Sequence, residues 1–159
     1  MPTLQLPQEA KQEGNVTRQV TLVCGPPCSG KTTWVAEHAS PDDIVVDHDA
    51  LARHLGSTRH HNHGPALRGQ AERYVAQLLR HVATMEHGTA WVIRTAPTAT
   101  HRARLAHYLR AARTVLLLPP LPELLTRARA RPARRETTKA IKIWLARYTP
   151  RDGDEVITG

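Results

Sequence analysis

Residues 25–33 read GPPCSGKTT, and their types and spacing suit one task, the gripping of a phosphate chain. Gly25 and Gly30 bracket four residues, and Lys31 and Thr32 follow at once, satisfying G-x-x-x-x-G-K-[ST]. Glycines at that spacing let the backbone aim several N–H groups at one point, forming an anion nest. A helix opening just beyond adds its unpaired N–H groups and the positive end of its dipole. Lys31 brings a point charge for the β- and γ-phosphates, and the Thr32 hydroxyl is a ligand for Mg²⁺. Cys28, Ser29 and Thr33 complete the loop and add contacts. The expected occupant is a nucleoside triphosphate, ATP with Mg²⁺.

A phosphate loop does not by itself name a reaction. The acids near it lie in VVDHDALAR, at Asp47 and Asp49. A carboxylate there takes a proton from an attacking hydroxyl or holds a metal-bound water. Two plainer readings stay open: Asp49 as a helix cap, and Asp47 as a supporting or solvated acid on the acceptor side. The later apolar runs end in WVIRTAP and LLLPP, without the acid that GTPases and motor ATPases place after a strand. No guanine-reading N-K-x-D occurs. Arg127 and Arg131 stand four apart on one helix face, and Arg134 follows beyond Pro132. A closing lid bearing these arginines would neutralise a transferring phosphoryl group and exclude water. The bland alternative is a solvated basic face.

These groups need a frame. RQVTLVC (18–24), IVVD (44–47), TAWVI (89–93), TVLLL (114–118) and DEVI (154–157) read as short strands. Helices are expected over 31–39, 49–56, 65–86, 96–112, 123–131 and 137–148. In the longest, Leu67, Ala71, Tyr74, Val75, Leu78, Leu79, Val82 and Met85 form one apolar stripe. Strands alternating with helices predict an α/β three-layer sandwich: a central parallel sheet of about five strands, helices on both faces and an arginine-rich helical lid. Ligands of such sheets sit at the carboxyl ends of the strands, where the glycine loop falls.

The chain has 159 residues and a net charge of +8, from 22 Lys and Arg against 14 Asp and Glu. One domain over 18–159, preceded by a flexible leader at 1–17, is the expectation. Ten arginines and one glutamate occupy 94–135, a concentration that attracts phosphates. Cys24 and Cys28 suit neither a disulfide framework nor a zinc site and read as free thiols. No run approaches the ~20 apolar residues of a membrane span, and the N-terminus lacks a signal-peptide pattern. A soluble cytoplasmic protein is expected. His60, His61 and His63 share one polar loop, a weak metal site and a better cover for an acceptor. Trp34 and Trp91 read as core. Trp144 and Tyr148, four apart, read as core or as a wall for adenine.

The ordered set GPPCSGKTT, VVDHDALAR, WVIRTAP and RARARPARRETTKAIKIWLARY resembles the small P-loop kinases of the phage-type polynucleotide kinase branch, with their zeta-toxin-like and AAA-type single-domain relatives. The resemblance spans about residues 18–150. It implies a nucleotide-kinase-like P-loop NTPase fold and transfer of a γ-phosphate to the 5′-hydroxyl of a polynucleotide. Asp49 would then be the general base, and Arg127 and Arg131 lid residues. The family's acceptor-binding Arg falls on Ala52, beside Arg53, and its third-strand acid falls near Arg94. Asp47, Arg53 and Arg94 are therefore the expected acceptor contacts. A small acceptor, a nucleoside, a nucleotide or a modified base, is the first alternative. A nucleotide-binding regulator without transfer is the second.

Overall fold

The computed structural model describes residues 17–48, 50–51 and 65–159, with side chains from residue 69 in the last segment. Five strands form one sheet: β1 (Gln19–Cys24), β2 (Ile44–Asp47), β3 (Thr89–Arg94), β4 (Arg113–Leu117) and β5 (Asp154–Ile157). Their order is β2-β3-β1-β4-β5, with every pair parallel. Five helices with both ends among the described residues flank the sheet: α1 (Lys31–His38), α2 (Pro65–Thr84), α3 (Ala99–Leu109), α4 (Leu121–Arg129) and α5 (Arg134–Arg147). The α/β sandwich expected from the sequence is present. Of the expected helix at 49–56, Ala50 and Leu51 are described and helical; its other residues, the histidine loop, the Leu67 side chain and residues 1–16 of the leader lie outside the described residues.

Strand β1 is central and buried on both faces, which explains its β-branched and apolar sequence. Pleating sends Val20, Leu22 and Cys24 to one side, where they meet Val75 and Val82 of α2, Leu109 of α3 and Trp144 of α5. Val23 points the other way, toward Val35 of α1, Trp91 and Val115. A third small cluster joins Cys28 of the glycine loop to Leu124 and Ala128 of α4 and Ile141 of α5. That cluster seats the arginine-bearing helices on the loop.

Two expectations are corrected. Tyr74, placed on the apolar stripe of the long helix, is 45% exposed. Helix α4 begins at Leu121, two residues before the expected 123. Pro122 is tolerated because first-turn N–H groups have no helical partner anyway.

The arginine-rich half is not one surface. Arg102 is fully buried. Its Nε donates to Asp154 Oδ2 at 2.7 Å, and its Nη1 to the carbonyls of Ala96 (3.0 Å) and Pro97 (2.8 Å). Nη2 donates to the Thr149 carbonyl, and the guanidinium lies 5.5 Å from the centre of the Tyr148 ring. One cation thus ties the turn after β3, the end of α5 and the edge strand β5. Ala96 in that turn takes φ 33°, a conformation that needs such support. Replacing Arg102 with Met would strand a nearly inaccessible Asp154, which retains only Arg151. A loss of about 3–5 kcal/mol is expected in denaturant unfolding. Arg113→Ala breaks a half-exposed pair with Glu155 and should lose under about 1 kcal/mol.

Candidate active site

The glycine loop leaves the carboxyl end of β1, between β3 and β4. Gly25 is sterically required there: a Cβ would stand 2.4 Å from the Leu117 carbonyl oxygen of β4 and 2.7 Å from Ser29 Oγ. Gly30 takes φ 89° and precedes α1 as its N-cap, so it also needs glycine's freedom. No side chain caps α1, and its first turn carries no acid, so the leading N–H groups and the dipole face the loop. The Lys31 ammonium donates to the carbonyls of Gly25 (2.9 Å) and Pro26 (2.8 Å) and lies 3.4 Å from Ser29 Oγ. Carbonyls on the lysine and amides at the helix mouth are the two sides of an anion nest.

Asp47 ends β2, two strands from β1, and is 8% exposed. Thr32 Oγ1 donates to its Oδ2 at 2.9 Å, and Oδ1 is 3.4 Å from the Ala50 amide. The structure thus joins Asp47 to the phosphate loop, although the sequence suggested an acceptor role. A hydroxyl beside a carboxylate is a hard-oxygen pair suited to Mg²⁺, which takes few protein ligands and completes its shell with phosphate and water. Among the described residues no cluster of three His, Cys, Asp or Glu offers a transition-metal site.

A cleft of about 710 Å³ opens over the loop. Lys31, Thr32 and Thr33 line one wall; Arg94, Thr95 and Glu72 line others, and Arg131 reaches in from between α4 and α5. Glu72, on α2, is a cleft carboxylate that the sequence reading missed. Its helix shows only an apolar stripe, and nothing local marks which polar residue faces the sheet's edge. Burial, and then the charges of Arg94, Arg104 and Arg102, hold His101 below its ordinary range. Burial pushes the Cys24 thiol up to about 12, so it supplies no thiolate. Both cysteines are free, as expected.

The three expected lid arginines part company. Arg127 grips the loop from outside, donating to the Cys28 carbonyl at 2.9 Å and pairing with Glu123. Arg131 lines the cleft. Arg134 lines a separate recess with Arg129 and Arg135. Trp144 is 4% exposed, donates to the Thr95 carbonyl at 2.7 Å and stacks on Tyr148, which makes the pair core rather than a nucleobase wall. Asp49 and Arg53 lie outside the described residues.

Residues 20–151 match the family model described as AAA domain. No curated protein sequence matches the chain. Solved structures share its fold at low identity. TT1252 from Thermus thermophilus is 18% identical with a TM-score of 0.53, over 90% of both chains. A gluconokinase from Sinorhizobium meliloti 1021 is 15% identical with a TM-score of 0.58, over 90% of this chain and 83% of that one. A chain of the Pnkp1/Rnl/Hen1 RNA repair complex is 14% identical with a TM-score of 0.59, over 88% of this chain. The protein spans about half of that relative, 49% of its length.

The contact of Gly25 with Leu117 generates a direct test. Gly25→Ala forces the loop off the end of β4 and should weaken nucleoside triphosphate binding by roughly tenfold or more, measured by calorimetric titration. Unchanged affinity would mean that the loop does not hold the phosphates.

Proposed function

The chain belongs to the AAA domain family and has the fold of a P-loop kinase, and from that premise we propose that it transfers the γ-phosphoryl group of ATP to the 5′-hydroxyl end of a polynucleotide. The Thr32–Asp47 hydrogen bond at the mouth of the loop carries the reading. It sets a hydroxyl and a carboxylate beside the ammonium of Lys31, the donor set that a Mg²⁺-bound triphosphate needs. A bare anion-binding loop has no use for the acid.

The choice of acceptor rests on charge. The cleft is lined by Arg94 and Arg131, and neither is in an ion pair among the described residues. Basic side chains at both sides suit an acceptor that brings phosphates of its own. The fold shared with a chain of an RNA repair complex accords with that acceptor, and the fold shared with a gluconokinase would accord with a small one. No helix among the described residues is long and apolar enough to cross a membrane.

In the proposed reaction the loop amides and Lys31 hold the β- and γ-phosphates, and Thr32 and Asp47 hold Mg²⁺. When bound, the ion supplies charge neutralisation on the phosphate oxygens. Asp47 is engaged with Thr32, so the proton of the acceptor hydroxyl falls to Asp49, two residues on. The freed oxygen attacks the γ-phosphorus, the bond to the β-phosphate oxygen breaks, and ADP leaves. Arg131 neutralises charge on the transferring group, with Arg127 bracing the loop behind it.

Incubation with γ-labelled ATP and a panel of 5′-hydroxyl oligonucleotides, nucleosides and gluconate tests the reading. Label on the oligonucleotides is expected; label only on a small acceptor, or on none, overturns it. Asp49→Asn should lower the rate by about 10²–10⁴-fold with ATP affinity retained. Glu72→Gln, the other cleft carboxylate, should lower it far less. Asp47→Asn should raise the Mg²⁺ concentration needed for half-maximal rate by roughly tenfold.

A further inference from the structure

The corner between α4 and α5 carries a second recess, of about 370 Å³, that the transfer step leaves unused. Arg129, Arg134, Arg135 and Thr138 line it. Among the described residues, these three guanidiniums form no ion pair and no side-chain hydrogen bond. Arg102, Arg113 and Arg127 by contrast each hold a carboxylate. The nearby acids do not neutralise the recess, since Glu123 is taken by Arg127 and exposed Glu136 pairs with none of them. The amino end of α5, whose N-cap Ala133 has no side-chain cap, opens at the same corner and adds to the positive field.

Like charges gathered without counter-charges repel one another, and an anion relieves that repulsion. Guanidinium forks select oxygen-rich, planar-faced groups, above all phosphate. The position of the recess identifies the source of the phosphate. Arg131 lines the cleft, and only the joint at 130–133 separates the two helices that carry the recess. An anion held in the recess lies next in the chain to the cleft that Arg131 lines, which suits a ligand that enters the cleft and continues beyond it with phosphates in series.

We propose that the Arg129–Arg134–Arg135 recess holds backbone phosphates of the polynucleotide acceptor, beyond the terminal nucleotide that enters the cleft. The inference rests on the polynucleotide reading above and extends it to a second, non-catalytic contact. Arg134 thereby changes role, from a lid residue at the transferring group to a residue that holds the acceptor strand.

The test uses the full chain with Arg129→Ala/Arg135→Ala and with Arg129→Lys/Arg135→Lys. A fluorescent 5′-hydroxyl single strand of roughly 12 nucleotides lies within the usual span of single-strand binders. Its affinity is measured by anisotropy over a salt series, without nucleotide. The alanine variant should bind about tenfold more weakly at low salt, and its log–log salt slope should fall by about 1.4, about 0.7 for each lost phosphate contact. The lysine variant should keep most of the slope. ATP affinity should not change, and transfer to a dinucleotide should fall far less than transfer to the long strand. Failure of the wild-type protein to bind the strand overturns the proposal. So does an unchanged slope, an equal loss on both acceptors, or a parallel loss of ATP affinity. If the slope changes as expected but no acceptor is phosphorylated, the recess stands and the transfer reaction falls.

Discussion

The ammonium group of Lys31 sits inside the loop to which it belongs, donating to the carbonyls of Gly25 and Pro26. Most of the site follows from that placement. Of the six residues 25–30, Pro26 and Pro27 carry no N–H and the Ser29 amide donates to the Pro26 carbonyl, so the loop's buried carbonyls need donors from side chains. Lys31 supplies them from within, and Arg127 supplies one from outside at Cys28, where φ is 66°. The loop is therefore held in shape through its carbonyls before any anion arrives. Preorganised dipoles of this kind need no reorientation when charge develops. The same geometry explains why Gly25 cannot bear a side chain, since β4 already fills the space with the Leu117 oxygen.

Cationic side chains in this protein have three separate uses, and net charge alone does not distinguish them. Arg102 is an internal strut, with its donors spent on one carboxylate and three carbonyls. Arg18 and Arg110 serve the helix ends. Arg18 donates to carbonyls of Val82, Met85 and Arg110 at the ends of α2 and α3, and Arg110 donates to Ala83 and Met85. Such carbonyls lack helical partners and lie at the negative end of the dipole. What remains for phosphate is a smaller set around the cleft and the α4–α5 corner. The excess of arginine at 94–135 thus points to a ligand only after the structural arginines are set aside.

The frame was legible because its signals are local. Strand runs and helix periodicity depend on neighbours a few residues apart, and IVVD and DEVI were located to the residue. The glycine loop was legible for the same reason. The partner of Asp47 was not, because Thr32 meets it only through the order β2-β3-β1. Glu72 and Arg102 were missed on similar grounds: each depends on which face of a helix meets the sheet, and an arginine in an arginine-rich stretch carries no mark of burial. Tyr74 went the other way. Its place on the stripe was correct in period, but the stripe's edge lies in solvent, and a large amphipathic ring is tolerated there.

The arginine-bearing helices also constrain how a lid of this kind can close. Helix α4 is held to the loop by Leu124, Ala128 and the Arg127–Cys28 bond. Helix α5 is held by Ile141 to the same cluster, and by Trp144 to the Thr95 carbonyl at the opposite wall of the cleft. Swinging either helix as a rigid body would break a buried contact at its far end. The joint at 130–133 is held by backbone bonds instead: the Ala130 and Arg131 amides donate to the carbonyls of Arg127 and Ala128, and the Thr137 amide to that of Ala133. Arg131, exposed in that joint, lines the cleft, while Arg134 and Arg135 belong to α5. Trp144 thus ties α5, which carries Arg134 and Arg135, to the turn after β3 at the cleft.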